Sequence, residues 1–318
     1  MNDLTILTEI SKRLNLAADE ATVILTKAMA GGECDSLTSK QWFEKRFLPN
    51  IIFITETGYT AMCADALKIL QTTAPTDYGS SRQRDLAQLW ADMTRGYLGE
   101  WAFKQFLFEK YKIESELGHE TGDLQNFLPV DIHQITKPGN PPRKPRCDIS
   151  IKTTKWNGIW FDIPGTQFSH SDIHILVKVG TGREHLFAFF KSISVFKDKI
   201  LKKAVDVGAF TQEIADSVYA GLPSFRPIPA YICGFALSRN TYNTLQYEGK
   251  KGRKNFTINK WNGPINSGDL DLIKNKENIQ GLIKFEGIGE FSHENGYLFN
   301  TGNLKWQPHE WEEMIKEL

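Results

Sequence analysis

The run Arg146-Cys147-Asp148-Ile149-Ser150-Ile151-Lys152-Thr153-Thr154-Lys155 sets an acid and a lysine four residues apart in a β-prone stretch. Side chains alternate across a strand, which predicts Asp148, Ser150 and Lys152 on one face and Ile149 and Ile151 in the core on the other. Upstream, Gly96-Tyr97-Leu98-Gly99-Glu100-Trp101 places the carboxylate of Glu100 where glycines permit close packing of a helix. Asp131 lies between the two, in the strand-like Pro129-Val130-Asp131-Ile132. Two or three carboxylates and one lysine are the groups that hold Mg²⁺ through oxygen and orient an attacking water. Mg²⁺ suits that task, with Mn²⁺ as a substitute, because it keeps several waters and accepts phosphate oxygens as ligands. The lysine would activate the nucleophile or stabilise charge growing on a phosphate.

Those residues need elements to hold them. Residues 3–31 carry apolar positions at helical spacing, with Gly31-Gly32 as a stop. Ser39 reads as the N-cap of a short helix to about Phe47, followed by a β-like run at Asn50–Ile54 and a helix from about Thr60 to Leu70. That order suits a small helical or winged-helix module, and Gln71–Arg84, with Pro, Gly and a Ser pair, reads as a linker. A long aromatic-rich helix is expected over Asp85–Lys112, then strands at 130–135, 147–153, 160–163 and 173–179. Asn157-Gly158 predicts a type I′ hairpin between the second and third of these. Lys-Trp-Asn-Gly recurs at 155–158 and 260–263, which predicts two similar hairpin turns. Residues 193–220 read as helical with a break at Gly208, 230–237 and 254–258 as strands, and 308–318 as a terminal helix. The expected class is α+β or α/β, with an N-terminal domain over 1–80 and a mixed-sheet catalytic domain over 81–318.

In this order the residues resemble the PD-(D/E)XK superfamily of nucleases, the restriction-endonuclease-like proteins. The resemblance rests on Ile151-Lys152-Thr153-Thr154, the Asn-Gly turn, Trp160-Phe161-Asp162-Ile163 and Gln167, and covers roughly residues 92–180. It implies a Glu on the first core helix (Glu100), an Asp on a strand (Asp131), an acid and a lysine on the next strand (Asp148 and Lys152), and a supporting Gln167 on the following helix. One position departs from the pattern: Ser150 stands where the family has Asp or Glu two residues before the lysine. Asp148, on the same predicted face, is the favoured replacement, and either Asp131 or Asp148 would be the main metal ligand.

Charge sums to zero, with 38 Lys and Arg against 38 Asp and Glu, so a polyanion partner must be met by local segregation. Such segregation is present. Arg143, Lys144, Arg146 and Lys155 surround the proposed catalytic strand, and Lys250, Lys251, Arg253 and Lys254 form a second cluster. In the N-terminal module Lys40, Gln41, Lys45 and Arg46 would face DNA from a recognition helix, with residues 50–59 as a wing. His170, His174 and His185 lack the spacing of a metal site. Cys34, Cys63, Cys147 and Cys233 are too dispersed for zinc or a disulfide framework and predict reduced thiols in a cytoplasm. The start has no signal-peptide pattern, and no run approaches a membrane span.

The expectation is therefore a Mg²⁺-dependent type II restriction-like endonuclease acting on double-stranded DNA. Its site would be specific, with cytosine methylation as one form of specificity, and it would act as a homodimer or by sequential nicking. A DNA-binding protein with a degenerate nuclease fold and a repair nuclease are the alternatives.

Overall fold

A computed structural model describes residues 3–70, 85–118, 130–240, 247–291 and 295–318. The expected linker, Gln71–Arg84, lies outside the described residues, as does the boundary at 80/81.

Helices dominate the first part of the chain. α1 (Asp3–Leu14) and α2 (Ala18–Ala30) bury one apolar stripe each, Ile6, Ile10 and Leu14 on α1 and Ala21, Ile24, Leu25 and Ala28 on α2. α3 (Ser39–Gln41) is capped by Thr38 in a reciprocal pair with Gln41, and continues as a π turn over Trp42–Phe47. β1 (Ile51–Ile54) then leads into α4 (Glu56–Leu70). α5 (Leu86–Tyr111) starts on an Asp85 cap and ends on Lys112 in the left-handed conformation.

The sheets follow. β2 (Glu114–Leu117) pairs antiparallel with β3 (Ile132–Thr136). β4 (Ile149–Thr154), β5 (Trp160–Pro164), α6 (Gly165–His170) and β6 (Ile173–Val179) come next, then a helical stretch of α7 (Arg183–Ser192), α8 (Lys202–Asp206) and α9 (Gln212–Ala220). Gly208, at φ 73°, breaks that stretch where the sequence predicts. β7 (Ile228–Leu237), β8 (Tyr247–Lys251), β9 (Phe256–Asn266), α10 (Ser267–Glu277), β10 (Ile283–Phe285), β11 (Asn295–Asn300) and α11 (Pro308–Glu317) complete the chain.

The protein is of the mixed α+β class. Its first sheet has the order β1-β7-β6-β4, with β4 parallel to β6 and the other pairs antiparallel. The second has the order β10-β9-β11-β5, and β8 also pairs with β9. Alternation along the strands sorts side chains into layers. Ile149 and Ile151 of β4, with Ile173, Ile175 and Val177 of β6, face α5 and its Phe103 and Phe106. Leu176 of β6 and Phe161, Ile163 and Phe299 of the second sheet meet α1 and α2 in the space between. Residues 3–54 are thus built into this structure: β1 hydrogen-bonds to β7, and α1 and α2 share a core with β5 and β7.

Two turn expectations are corrected. β4 and β5 do not form a hairpin, because they belong to different sheets; the Lys155–Gly158 turn carries the chain from one sheet to the other. The second Lys-Trp-Asn-Gly lies inside β9. There Gly263, at φ 132°, lets the strand pass from β8 and β10, which pair with 256–261, to β11, which pairs with 262–266. Trp261 is buried at that exchange and its N–H donates to Asn300 Oδ1 at 2.7 Å.

A buried ionic cluster joins the layers. Glu33 (1% exposed) accepts hydrogen bonds from Lys178 Nζ at 2.8 Å, Trp42 Nε1 at 2.9 Å and Tyr231 Oη at 3.0 Å. Burial alone would raise its pKa, but the charges of Lys178 and Arg46 and the bonds from Lys178 and Trp42 hold it at about 2. Arg46 is itself buried, donating to the carbonyls of Thr301 at 2.7 Å and Cys233 at 3.4 Å. Glu33→Ala should therefore destabilise the fold by about 3–5 kcal/mol, since it strands buried cations without their carboxylate; a denaturant midpoint checks this. The folded value lies below the ordinary 4.5, so this stabilisation is complete above pH 4.5 and is lost as pH falls towards 2. Glu33→Gln should flatten the acid limb of the stability curve in that window.

Candidate functional site

β4 is the edge strand of the first sheet, and its outer edge is capped by Asp131. The Asp131 N–H donates to Ile149 O at 3.0 Å, and the Asp131 carboxylate accepts the N–H of Ile151 in a short bond. A carboxylate is thus anchored beside the residue that precedes Lys152. α5 crosses the same strand at very close range. A Cβ at Gly99 would collide with Thr153, whose Oγ1 donates to Gly96 O at 3.2 Å. That approach brings Glu100 and Asp131 into one electrostatic environment: burial, then Glu100, Asp65 and Asp131, push the Tyr97 phenol up to about 12.

Lys152 projects from the other face of β4. Its register partner on β6 is Leu176, and that of Ser150 is His174, both in the space between the sheets. Ser150 is 7% exposed and His174 fully buried, so the position that carries an acid in the resembling family is interior here. His174 stacks on Phe168 at 4.9 Å, and its Nε2 lies 3.1 Å from Phe168 O and 3.0 Å from Ser238 Oγ. Burial pushes its pKa down to about 4, with the Lys152 charge acting in the same direction.

Asp148 stands apart from Lys152. It precedes β4 by one residue, pairs with Lys144 at 3.7 Å, and its backbone is held by Asp172. Four residues of strand span about 13 Å, so Asp148 and Lys152 occupy opposite ends of β4. Gln167, half-buried on α6, is not among the residues around the Lys152 cleft.

That cleft, of 540 Å³, opens where β4 ends, between α2, α5, β5 and the turn after β10. It gathers Lys27, Arg95, Lys152 and Lys155 against Asp162 and Glu286. Sequence pattern points to Lys152 and Lys155 but not to Lys27, Arg95, Asp162 or Glu286 as members of a site. Asp162 falls within the Trp160–Ile163 segment that carries part of the resemblance; Lys27 and Arg95 sit on helices, and no local signal marks them.

The other predicted positions fall as follows. Arg143 bridges back to Ile135 of β3 by two backbone bonds, which folds the Lys137–Arg146 loop against the small sheet. Arg143 and Arg146 lie close enough that, after burial, their charges lower the pKa of Lys137. Lys250, Lys251, Arg253 and Lys254 form a basic tip between β8 and β9, with Arg253 and Lys254 beside Lys284. Lys40 and Lys45 are exposed, Lys40 pairing with Glu44 at 3.7 Å; Gln41 is engaged in the helix cap. Arg46, expected to face DNA, is corrected: it is 1% exposed and tied to Thr301 and Cys233, because the π turn directs it inward. All four cysteines are free thiols.

Among the described residues no group of three His, Cys, Asp or Glu is placed to hold a metal ion by itself, and no helix is long and apolar enough to cross a membrane. Mg²⁺ does not need such a group, since one or two carboxylates plus phosphate oxygens and water suffice. Asp131 and Glu100 meet that requirement by type. The chain matches no protein-family model, no curated protein and no solved structure.

The His174 value places its titration well below the ordinary 6.5, so its ring should stay neutral from pH 8 down to about pH 5. Ring-proton NMR shifts that hold constant across that range check it. Because the folded value is depressed, stability attributable to His174 is full above pH 6.5 and is lost as pH falls towards 4.

Proposed function

We propose that the chain is a Mg²⁺-dependent endonuclease of the PD-(D/E)XK type that hydrolyses phosphodiester bonds of double-stranded DNA. The observation that supports this reading is the seat of Asp131 on the N–H of Ile151, the residue before Lys152, at the edge of the strand on which the helix bearing Glu100 packs. This is the order the resemblance requires: Glu on a helix, Asp at a strand, Lys on the next strand. Of the two acids that the sequence leaves open, Asp131 would be the main metal ligand, because the length of β4 separates Asp148 from Lys152.

The chain's own groups divide the work. Asp131 and Glu100 would hold the ion, Asp131 with its carboxylate oriented by the β4 backbone. When bound, Mg²⁺ supplies a polarised water and neutralises charge on the phosphate. Lys152 stands over the cleft as the group that stabilises charge on the scissile phosphate or orients the attacking water. Arg95, Lys27 and Lys155 bind the flanking phosphates, and the Arg253–Lys254 tip extends the contact along the strand. Cutting both strands of a duplex would take either two such sites, as in a homodimer, or two successive nicks by one.

Lys152→Ala should abolish Mg²⁺-dependent cleavage of supercoiled plasmid, by about 100-fold or more, while leaving duplex binding in Ca²⁺ intact. Unaltered cleavage sinks the assignment. Running unmodified and cytosine-methylated plasmid in parallel tests modification dependence at the same time. Arg253→Ala with Lys254→Ala should make the dependence of log affinity on log salt shallower by about 0.9 for each phosphate that the pair neutralises; binding measured at several salt concentrations checks this.

A further inference from the structure

A second cavity, of 430 Å³, lies beside the basic cleft and shares Arg95 and Lys155 with it. Its walls are of a different kind. Tyr59 from α4, Trp90 and Leu98 from α5, and Leu186 and Phe190 from α7 give it an aromatic and aliphatic lining. Trp90 is fixed there by a hydrogen bond from its Nε1 to Cys63 O at 3.0 Å, and Phe190 by stacking on Phe196 at 5.2 Å with the rings almost parallel. Trp90, Leu186 and Phe190 are only half-buried, so rigid ring surface is presented to an open cavity. Three cations are also in its lining: Arg95, which pairs with Asp92 at 3.1 Å, and Lys155, both shared with the cleft, and the exposed Arg183.

We propose that this cavity receives a nucleobase unstacked from the DNA strand whose phosphates lie on Arg95 and Lys155. The inference rests on the nuclease reading. An apolar ligand would not need three cations in the lining, and a small anion would not need the aromatic walls. A nucleotide carries both features, and the cavity volume lies within the usual range for a small-ligand site. Aromatic walls accept any base, because every base has a π-face, whereas the cations fix only the backbone. The energy needed to unpair a base is least where the pair is mismatched, damaged or already open, so the cavity would favour such positions.

The test is photocrosslinking. A 30-base-pair duplex of randomised sequence, with 5-iododeoxyuridine for thymidine and 5-iododeoxycytidine for deoxycytidine, is bound to the full chain in Ca²⁺ and irradiated at long wavelength. Crosslinked peptides are then mapped by mass spectrometry, and duplex retention is measured in parallel by filter binding. Crosslinks at Tyr59, Trp90 or Phe190 are expected. Trp90→Leu should remove the Trp90 crosslink and weaken binding about tenfold. Ala91→Phe, at an exposed position on the wall, adds bulk to the cavity without replacing any of the three aromatic side chains and should suppress crosslinking at all three. Far-ultraviolet circular dichroism verifies that both variants are folded. Retention of the duplex with crosslinks only outside the cavity overturns this proposal and leaves the nuclease reading standing. Failure to retain duplex at any salt concentration overturns both.

Discussion

The Glu33 carboxylate is the joint on which the layers depend. It accepts from Trp42 of the segment after α3, from Lys178 of β6 and from Tyr231 of β7, so three parts of the chain far apart in sequence converge on one buried anion. Arg46 adds a second cation and carries the network to the carbonyls of Thr301 and Cys233. A buried pair of this kind gives little net stability compared with apolar packing of the same volume, but breaking it is expensive. Its role is to specify. The apolar stripes of α1 and α2 fit many partners, whereas the one carboxylate has only one set of donors to meet.

The same arrangement fixes the site. Once β6 is held by Lys178, its parallel partner β4 becomes the edge of the sheet, with Ile149 and Ile151 directed at α5. α5 can approach because Gly99 leaves room for Thr153. Glu100 and Asp131 lie around Tyr97 on the α5 side of the edge, and Lys152 lies in the cleft with Lys27, Arg95, Lys155, Asp162 and Glu286.

The overall charge of zero conceals this arrangement. The basic side chains that line the cleft come from α2, α5 and β4 and from the turn that follows it, and only Lys152 and Lys155 are near each other in sequence. The basic tip at 250–254 is the reverse case, contiguous in sequence and contiguous in space. Affinity for a polyanion can be built either way, but only the second kind is visible as a run of letters.

Much of the architecture was legible from periodicity and punctuation. The long helix at 86–111, the strands at 149–154 and 173–179, the break at Gly208 and the terminal helix all follow from local pattern, because helix stripes and strand alternation are properties of a few adjacent residues. Type and order also offer Glu100, Asp131, Asp148 and Lys152 as candidates for chemistry. What the sequence by itself determined was therefore the set of elements and the inventory of chemistry they carry. Tertiary structure alone decided how strands were partnered and which groups met. Asn157-Gly158 turns the chain between two sheets because β5 finds β11 and not β4, and Lys260–Gly263 runs through a strand because Gly263 lets β9 exchange partners. Arg46 turns inward to buried carbonyls, and Asp131, not Asp148, sits beside the residue before Lys152 because a hydrogen bond across the strand edge brings residue 131 to residue 151. Local pattern cannot encode these outcomes: each depends on a partner contributed by a distant part of the chain.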